Sequence, residues 1–344
     1  MVYYIAAIVV VAFIFDFING FHDSANSIAT IVGTRVLSPL AAVIWAACFN
    51  FAALFTVGTA VAKAISKGFV DPNIVSPNVI LGGLIGAIIW NLITWFYGIP
   101  SSSSHAIIGG YAGAAIGKAG WAAITWGVKW IQTLSFIVIS PAVGMLAGFM
   151  LMIIVYWIFQ RMAPARVDRF FRVAQLISSA SLSLAHGGND AQKTMGIIVG
   201  LLVSVQPITS LQTGFWHNLY VPSNTIPLWV EVAAYSAISF GTLFGGWRIV
   251  HTMGSRITRL RPVSGFCAET GAALAITLAS HFGIPVSTTH TITGAIVGVG
   301  ATNRVSAVRW GIARRIVWAW LITIPAAGLM AAAAYHVLTL FVPG

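Results

Sequence analysis

Hydroxyl side chains cluster at two points of a chain that is otherwise strongly apolar. The segments "GIPSSSSH" (Gly98–His105) and "GIPVSTTH" (Gly283–His290) each place a proline and several hydroxyls inside a long apolar stretch. The residue before a proline resists the α conformation, so Pro100 and Pro285 each predict the end of one half-helix. Serine and threonine then begin the next half-helix, where free amides and the helix dipole favour an anion. Many neutral donors in one place suit a tetrahedral oxyanion. The candidate anion-binding residues are Ser101, Ser102, Ser103, Ser104, Ser287, Thr288 and Thr289.

Two aspartates, Asp23 and Asp190, interrupt other apolar stretches. A carboxylate beside an anion site repels the anion unless it holds a cation, and acids within a membrane usually lie on ion pathways. The pattern therefore predicts that a cation and an anion bind together. An ion pair between Asp190 and Lys193, three residues apart on one helix face, is the structural alternative. For Glu269, a proton relay and a packed protonated acid are both open. The candidate coupling residues are Asp23, Asn26, Asn189, Asp190, Gln192, Lys193 and Glu269.

The composition predicts an all-α polytopic membrane protein. The 344 residues are 58% hydrophobic and 7% charged, whereas soluble domains carry about 25% charged residues. Several apolar stretches reach the roughly 20 residues that span a bilayer. The net charge of +11 is interpreted as basic loops that orient the chain, not as a nucleic-acid surface. The stretch "MVYYIAAIVVVAFIFDF" at the N-terminus lacks a basic n-region and a small-residue cleavage site, which indicates a first membrane helix. No histidine or cysteine spacing matches a metal-ligand motif.

Two motifs recur in the same order along the chain. "FHDSANSIATIVG" (Phe21–Gly33) pairs with "GNDAQKTMGIIVG" (Gly188–Gly200), as the two proline–hydroxyl segments pair with each other. We expect a first repeat (1–160) with a re-entrant hairpin at 79–118, a cytoplasmic linker (161–172) and a second repeat (173–344) with a re-entrant hairpin at 263–302. The expected membrane crossings are 2–34, 40–62 and 135–160 in the first half and 173–202, 228–249 and 316–341 in the second.

An odd number of crossings in each half makes the repeats inverted. In this topology both termini are external and all thirteen arginines are cytoplasmic, so the positive-inside rule is satisfied for arginine but not for four of the lysines. The four lysines outside the second acidic motif, Lys63, Lys67, Lys118 and Lys129, are then external. Inverted repeats whose broken helices meet at the membrane midplane are typical of transporters.

Four motifs carry a resemblance to a known family. "NGFHDSANSIATIVGTRVLSP", "GIPSSSSHAIIGG", "AHGGNDAQKTMGI" and "GIPVSTTHTITG" occur in this order over nearly the whole chain, which resembles the inorganic phosphate transporter (PiT) family. The resemblance implies a symporter for inorganic phosphate in the bacterial plasma membrane, without a cofactor or enzymatic activity, as a homodimer. It also implies that Asp23, Asn26, Asn189 and Asp190 belong to the cation and substrate site, and that Ser102–Ser104 and Ser287–Thr289 line the phosphate site.

The second acidic motif departs from the sodium-coupled pattern. Sodium-coupled members tend to carry Asp-x-x-Asn in both repeats, but here only Asp23 and Asn26 do so, because Lys193 stands three residues after Asp190. The chain therefore resembles the proton-coupled bacterial branch. Sodium or a divalent metal as coupling cation, and transport of phosphate as a metal chelate, stay open. A sulfate permease of the same fold is an alternative. An intramembrane serine hydrolase is a remote one, because no G-x-S-x-G elbow is present and a serine nucleophile needs an adjacent base.

Overall fold

The computed structural model describes residues 1–222 and 225–342, apart from the side chains of residues 66 and 67, and is built almost entirely of helices. The Lys67 side chain, which we expected on the external side, therefore lies outside the described part of the chain, as do the last two residues of the second repeat. The α-helices are α1 (Val2–Gly33), α2 (Pro39–Ala52), α3 (Ala60–Lys67), α4 (Pro77–Phe96), α5 (Ser103–Ala119), α6 (Val128–Phe159), α7 (Pro164–Ser204), α8 (Gln206–Thr209), α9 (Leu228–Phe244), α10 (Trp247–His251), α11 (Pro262–His281), α12 (Thr288–Ala301) and α13 (Trp310–Phe341). The described residues contain one isolated β-bridge and no strand, which confirms the all-α prediction.

Five of these helices (α1, α4, α6, α11 and α13) are long and apolar enough to cross a membrane. A sixth span exists if α9 and the bent segment that follows it are counted together. On α6 and α13 large apolar side chains such as Leu146, Trp157 and Leu329 are exposed, as expected of surfaces that face lipid. The longest helix, α7, is not among the five because polar residues fill its middle between Ser178 and Thr194.

Apart from the short α8, the same order of elements occurs in both halves of the chain. A long helix (α1 or α7) is followed by a broken helix (α2–α3 or α9–α10), two helices joined by a proline segment (α4–α5 or α11–α12) and another long helix (α6 or α13). The packing is reciprocal: α13 lies on α4 and α5, whereas α6 lies on α11 and α12. Likewise α1 contacts α9, and α7 contacts α2 and α3. Each half therefore covers the helix pair of the other half.

Glycines allow these helices to approach closely. A Cβ atom on Gly294 of α12 would lie 2.1 Å from the carbonyl oxygen of Pro141 in α6. The glycine at the corresponding place in the first half, Gly109 of α5, would meet the carbonyl oxygen of Ile324 in α13 at 2.5 Å. Small residues at such positions let membrane helices pack backbone to backbone.

The second helix of each half is broken, contrary to the expectation of continuous crossings at 40–62 and 228–249. After Ala52 the chain makes a short 3-10 turn that ends at Phe55, and helix resumes only at Ala60. In the second half, α9 ends at Phe244 and the next helical segment is inclined by 64°.

Side chains from other helices stabilise the new helix starts. Gln192 Oε1 of α7 accepts hydrogen bonds from the backbone amides of Val61 (2.9 Å) and Ala62 (3.3 Å) at the start of α3. Ser24 Oγ of α1 accepts a hydrogen bond of 2.5 Å from the amide of Gly246, directly before α10. Because the first amides of a helix lack partners within it, such acceptors compensate for each break.

Candidate functional site

Each proline segment turns on a glycine and begins its second helix at a capping serine. Gly98 and Gly283 both adopt a φ of 64°, which is in the left-handed region that favours glycine. Ser102 and Ser287 are the N-caps of α5 and α12. Each hydroxyl accepts a hydrogen bond of 3.2 Å from the backbone amide of the residue three positions later. We call residues 98–105 the first tip and residues 283–290 the second tip. The two tips share one local geometry.

The two tips meet inside the protein. The rings of His105 and His290, in the first turns of α5 and α12, have centroids 4.9 Å apart. His290 also stacks on Trp320 at 4.0 Å, and Trp320 Nε1 donates to the carbonyl oxygen of Pro100 at 3.0 Å. All three rings are buried. The second tip is therefore linked through α13 to the first.

The aspartates of the two repeats converge beside these tips. Asp23 of α1 and His186 and Asp190 of α7 each offer one ligand atom, and these atoms lie within 4.8 Å of one another. All three residues are buried, and His186 Nε2 is 3.3 Å from Asp190 Oδ2. The trio could hold a cation. Sequence spacing did not predict it, because the ligands come from helices far apart in the chain.

Lys193 lies against Asp190, as the ion-pair alternative predicts. Its Nζ is 2.5 Å from Asp190 Oδ1 and donates to the carbonyl oxygen of Val286 at 2.9 Å. It donates a further hydrogen bond to Ser104 Oγ of the first tip. A single buried ammonium thus contacts α7 and both proline segments.

Asn26 links α1 to the second tip. Its Nδ2 donates to Thr288 Oγ1 at 3.2 Å and to Thr289 Oγ1 at 2.9 Å. Thr288 Oγ1 in turn donates to Asp190 Oδ2 at 3.2 Å. Asn26 therefore donates hydrogen bonds to hydroxyls of the second tip, and Lys193 donates one to a hydroxyl of the first tip.

A chain of hydrogen bonds connects Asp23 with the first tip. His22 Nδ1 is 2.6 Å from Asp23 Oδ1, and His22 Nε2 is 3.0 Å from Thr94 Oγ1. Ser101 Oγ donates to the same Thr94 hydroxyl at 2.9 Å. His22 and Thr94 were not among the predicted site residues. The position of His22 directly before the aspartate was the available signal for it.

Six of the seven predicted hydroxyls fall into two groups. Ser101, Ser102 and Ser287 hold the proline segments in shape through the bonds given above. Ser104, Thr288 and Thr289 bond with Lys193, Asp190 and Asn26. Ser103 Oγ is buried with no hydrogen-bond partner among the described residues, as are Asn26 Oδ1 and Asn189 Oδ1. These three oxygen atoms remain available to a bound ligand.

Three other predicted coupling residues have different surroundings. Gln192 binds the start of α3, and Asn189 Nδ2 donates to Ser280 Oγ at 2.7 Å. Glu269 lies in a separate buried polar cluster between α1, α7 and α11. Its carboxyl group is bonded by Thr30 (2.6 Å), Gln175 (2.9 Å) and Ser178 (2.5 Å). Those three partners were not predicted, because each is an ordinary polar residue without a motif.

The comparisons with known proteins decide which family this is. Residues 19–331 match the model of the "Phosphate transporter family". The chain belongs to this family. The resemblance inferred from the four motifs is therefore confirmed, and the protein is a membrane transporter and not an enzyme.

Two relatives match over nearly their whole length. A "Probable low-affinity inorganic phosphate transporter" of Rhizobium meliloti (strain 1021) is 55% identical over 331 residues, which cover 96% of this chain and 95% of the relative. A protein of Bacillus subtilis (strain 168) with the same description is 45% identical, with 97% and 96% covered. A solved structure titled "The sodium-dependent phosphate transporter" superposes with a TM-score of 0.87 at 25% identity and covers 98% of this chain and 100% of that one.

A basic cavity adjoins the first tip of the transporter. It has a volume of about 390 Å³, and its lining includes Gly98, Arg248, His251 and Arg256. Arg248 lies over the ring of Phe96 at 4.8 Å. A cleft lined by one sign of charge raises the local concentration of the opposite ion, so this cavity favours an anion next to the tip.

Proposed function

We propose that this transporter is a proton-coupled symporter that imports inorganic phosphate through a site between the two proline-segment tips. The observation that carries the proposal is the convergence of these tips on two buried aspartates of α1 and α7. Asn26 bonds the second tip and Lys193 bonds the first, so anion donors and cation ligands belong to one hydrogen-bonded network. Such a network can hold both partners of a symport step.

Phosphate recognition is assigned to the tip hydroxyls and to the first amides of α5 and α12. Ser103 supplies an unpartnered hydroxyl, whereas Ser104, Thr288 and Thr289 supply hydroxyls that can exchange partners. A helix N-terminus stabilises an anion through its free amides and dipole. The basic cavity beside Gly98 is our candidate for the region through which phosphate reaches or leaves this site.

The charges of the site favour entry of a cation or proton together with phosphate. Asp23 and Asp190 bring two carboxylates, and Lys193 brings one ammonium. Phosphate adds negative charge, and uncompensated charge in a buried site is costly. A proton or cation that enters with the anion removes this cost.

Glu269 is our candidate for the transported proton. Among the described residues its carboxyl group has three neutral hydrogen-bond partners and no cationic one. The Ser178 hydroxyl has two acceptors in reach, Glu269 Oε2 at 2.5 Å and the Gln175 carbonyl oxygen at 3.2 Å. It can donate to the carboxylate or, after turning to Gln175, accept from the protonated acid. The cluster therefore accommodates both states.

The proposal extends to the placement of the chain. We propose two inverted repeats (1–160 and 173–344) joined by a cytoplasmic linker (161–172), in a plasma-membrane homodimer with both termini outside. The repeated order of helices and their reciprocal packing support the repeats. The homodimer and the location in the plasma membrane rest on the family resemblance alone.

Sodium or a divalent metal is the second candidate for the coupling cation. The Asp23, His186 and Asp190 trio favours it, as does the solved relative that is titled sodium-dependent. A divalent cation at the trio would accompany phosphate as a metal chelate. A sulfate permease differs only in the tetrahedral anion that the tips bind.

Uptake by the purified protein in proteoliposomes separates these possibilities. We expect labelled phosphate to accumulate under an inward proton gradient without sodium or added metal, and labelled sulfate not to accumulate. If phosphate accumulates only under a sodium gradient, or only with a divalent metal, the coupling cation is sodium or that metal and not the proton. Preference for sulfate, or no accumulation of phosphate under any gradient, would refute the assigned substrate.

A further inference from the structure

The two repeats place different residues at one corresponding position in the site. Asn26 stands three residues after Asp23, and Lys193 stands three residues after Asp190. Asn26 Nδ2 bonds Thr289, and Lys193 Nζ bonds Ser104. Ser104 and Thr289 also correspond, because each directly precedes the histidine of its tip. The two contacts are therefore equivalent, except that one repeat supplies an amide and the other an ammonium.

Every hydrogen-bond partner of Lys193 Nζ among the described residues is an oxygen atom. A carboxylate oxygen of Asp190, a hydroxyl of Ser104 and the carbonyl oxygen of Val286 surround its Nζ. These oxygens come from α7 and from both proline segments, and Lys193 is 1% exposed. Carboxylate and carbonyl oxygens are the ligands that hard cations prefer. An ammonium has three N–H donors, so these three acceptors use all of them.

The corresponding position in the first repeat is not filled in this way. Asn26 Oδ1 is buried without a hydrogen-bond partner among the described residues, and the Asp23 carboxylate bonds a histidine in place of an ammonium. One aspartate thus has an ammonium beside it, whereas the other is followed three residues later by an asparagine whose side-chain oxygen lacks a partner among the described residues.

We propose that the Lys193 ammonium is a built-in cation that permanently occupies the cation position of the second repeat. Phosphate binding then needs one exchangeable cation fewer than in a transporter that carries asparagine there. This inference rests on the proposed phosphate symport and names the residue that determines its cation requirement. Removal of the ammonium leaves Asp190 uncompensated in a buried site, which is strongly unfavourable. In Lys193→Asn, sodium can enter the vacated oxygen ligands and restore the charge.

The test measures labelled phosphate uptake and phosphate binding by purified protein, with sodium or choline as the only monovalent cation at fixed pH. We expect the wild type to behave alike in both salts. In Lys193→Asn, sodium should increase phosphate affinity at least about fivefold, the lower end of usual coupling between two ligands. Lys118→Asn is the matched control, because Lys118 is exposed in the last turn of α5, and it should behave as the wild type does.

The wild type alone can overturn the inference, even if the variant does not fold. Wild-type phosphate affinity that rises with the square of the sodium concentration would show that two exchangeable cations bind, and therefore that Lys193 does not fill the second cation position. Folded Lys193→Asn that transports at the wild-type rate in choline would also overturn it, because the ammonium would then be dispensable. Failure of the wild type to bind or move phosphate in either salt refutes the proposed function, which is a separate outcome.

Discussion

Ser103 and Thr288 each directly follow the capping serine of their tip, but their hydroxyls have different surroundings. Thr288 accepts from Asn26 and donates to Asp190, whereas Ser103 Oγ has no partner among the described residues. A buried hydroxyl without a partner costs free energy. The most direct explanation for a serine at position 103 is that its hydroxyl donates a hydrogen bond to an anion during the transport cycle.

Ser103→Ala and Thr288→Ala should both weaken phosphate binding. Loss of one hydrogen bond in a dehydrated site costs about 1–3 kcal/mol, which corresponds to roughly tenfold or more in Kd. Thr288→Ala should also lower thermal stability, because Asp190 loses a donor, whereas Ser103→Ala should not. Equilibrium binding of labelled phosphate measures the first effect and thermal unfolding the second. Ser181→Ala, at an exposed hydroxyl of α7, is the control. Unchanged phosphate affinity in both tip variants would refute the tip site.

Glu269→Gln should separate phosphate exchange from proton-driven accumulation. The amide keeps the shape and most hydrogen bonds of the cluster but cannot take up a proton. We expect exchange of labelled for unlabelled phosphate to continue, and accumulation under an inward proton gradient to fall to the level without a gradient. Glu231→Gln, in the first turn of α9, is the matched control. Wild-type accumulation in Glu269→Gln would assign the proton to another group.

At the scale of helices, local sequence signals predicted the proline segments well. A proline ends a helix and a serine caps the next one whatever surrounds them, so the positions of Pro100 and Ser102 were sufficient to predict the turn before α5. The breaks between α2 and α3 and between α9 and α10 contain no proline and carry only the weaker local signals of Gly58 and of the pair Gly245–Gly246. They depend on acceptors from distant helices, Gln192 and Ser24, which a local pattern does not contain.

The same limit applies to the polar clusters. Asp23 and Asp190 were predicted because an acid in an apolar stretch stands out by itself. Their approach to His186, and the surroundings of Glu269, depend on how α1, α7 and α11 pack, and no spacing along the chain encodes that packing.

Gly113→Ala should destabilise the contact between α5 and α13, whereas Gly117→Ala should be tolerated. A Cβ on Gly113 would lie 2.1 Å from the carbonyl oxygen of Gly328, but the nearest atoms to a Cβ on Gly117 are 3.4 Å away. Overpacking in a close contact costs typically about 1–3 kcal/mol. Thermal unfolding in detergent should therefore show a lower Tm for the Gly113 variant only. Equal Tm values for both variants would show that the helices separate without cost.

At the scale of the whole molecule, the reciprocal packing couples the two tips. Because α13 lies on α4 and α5 while α6 lies on α11 and α12, a movement of either helix pair displaces a helix of the other half. Rigid-body rocking around a fixed central site is the usual form of alternating access in repeat-built transporters. The arrangement favours motion of both tips together over independent opening of one.

The basic residues provide a test of how the whole molecule lies in the membrane. Arg259, Arg261, Arg304 and Arg309 line one large cavity of about 1180 Å³ where α6, α7, α11 and the loop after α12 meet. Arg172 of α7 also bonds the carbonyl oxygen of Arg35 after α1. These segments belong to one end of the molecule, which the positive-inside rule assigns to the cytoplasm.

Single cysteines should report this orientation. In a Cys48→Ala background, which removes the exposed native cysteine, we expect Arg166→Cys and Arg259→Cys to resist an impermeant thiol reagent added to intact cells. Both should react after the cells are permeabilised. Val128→Cys, at an exposed position in the first turn of α6, should react from outside in intact cells, because α5 and α6 are joined on the opposite side. Labelling of Arg166→Cys in intact cells would reverse the topology. Labelling of Arg259→Cys alone would mean that the chain between the two arginine sites does not cross the membrane twice.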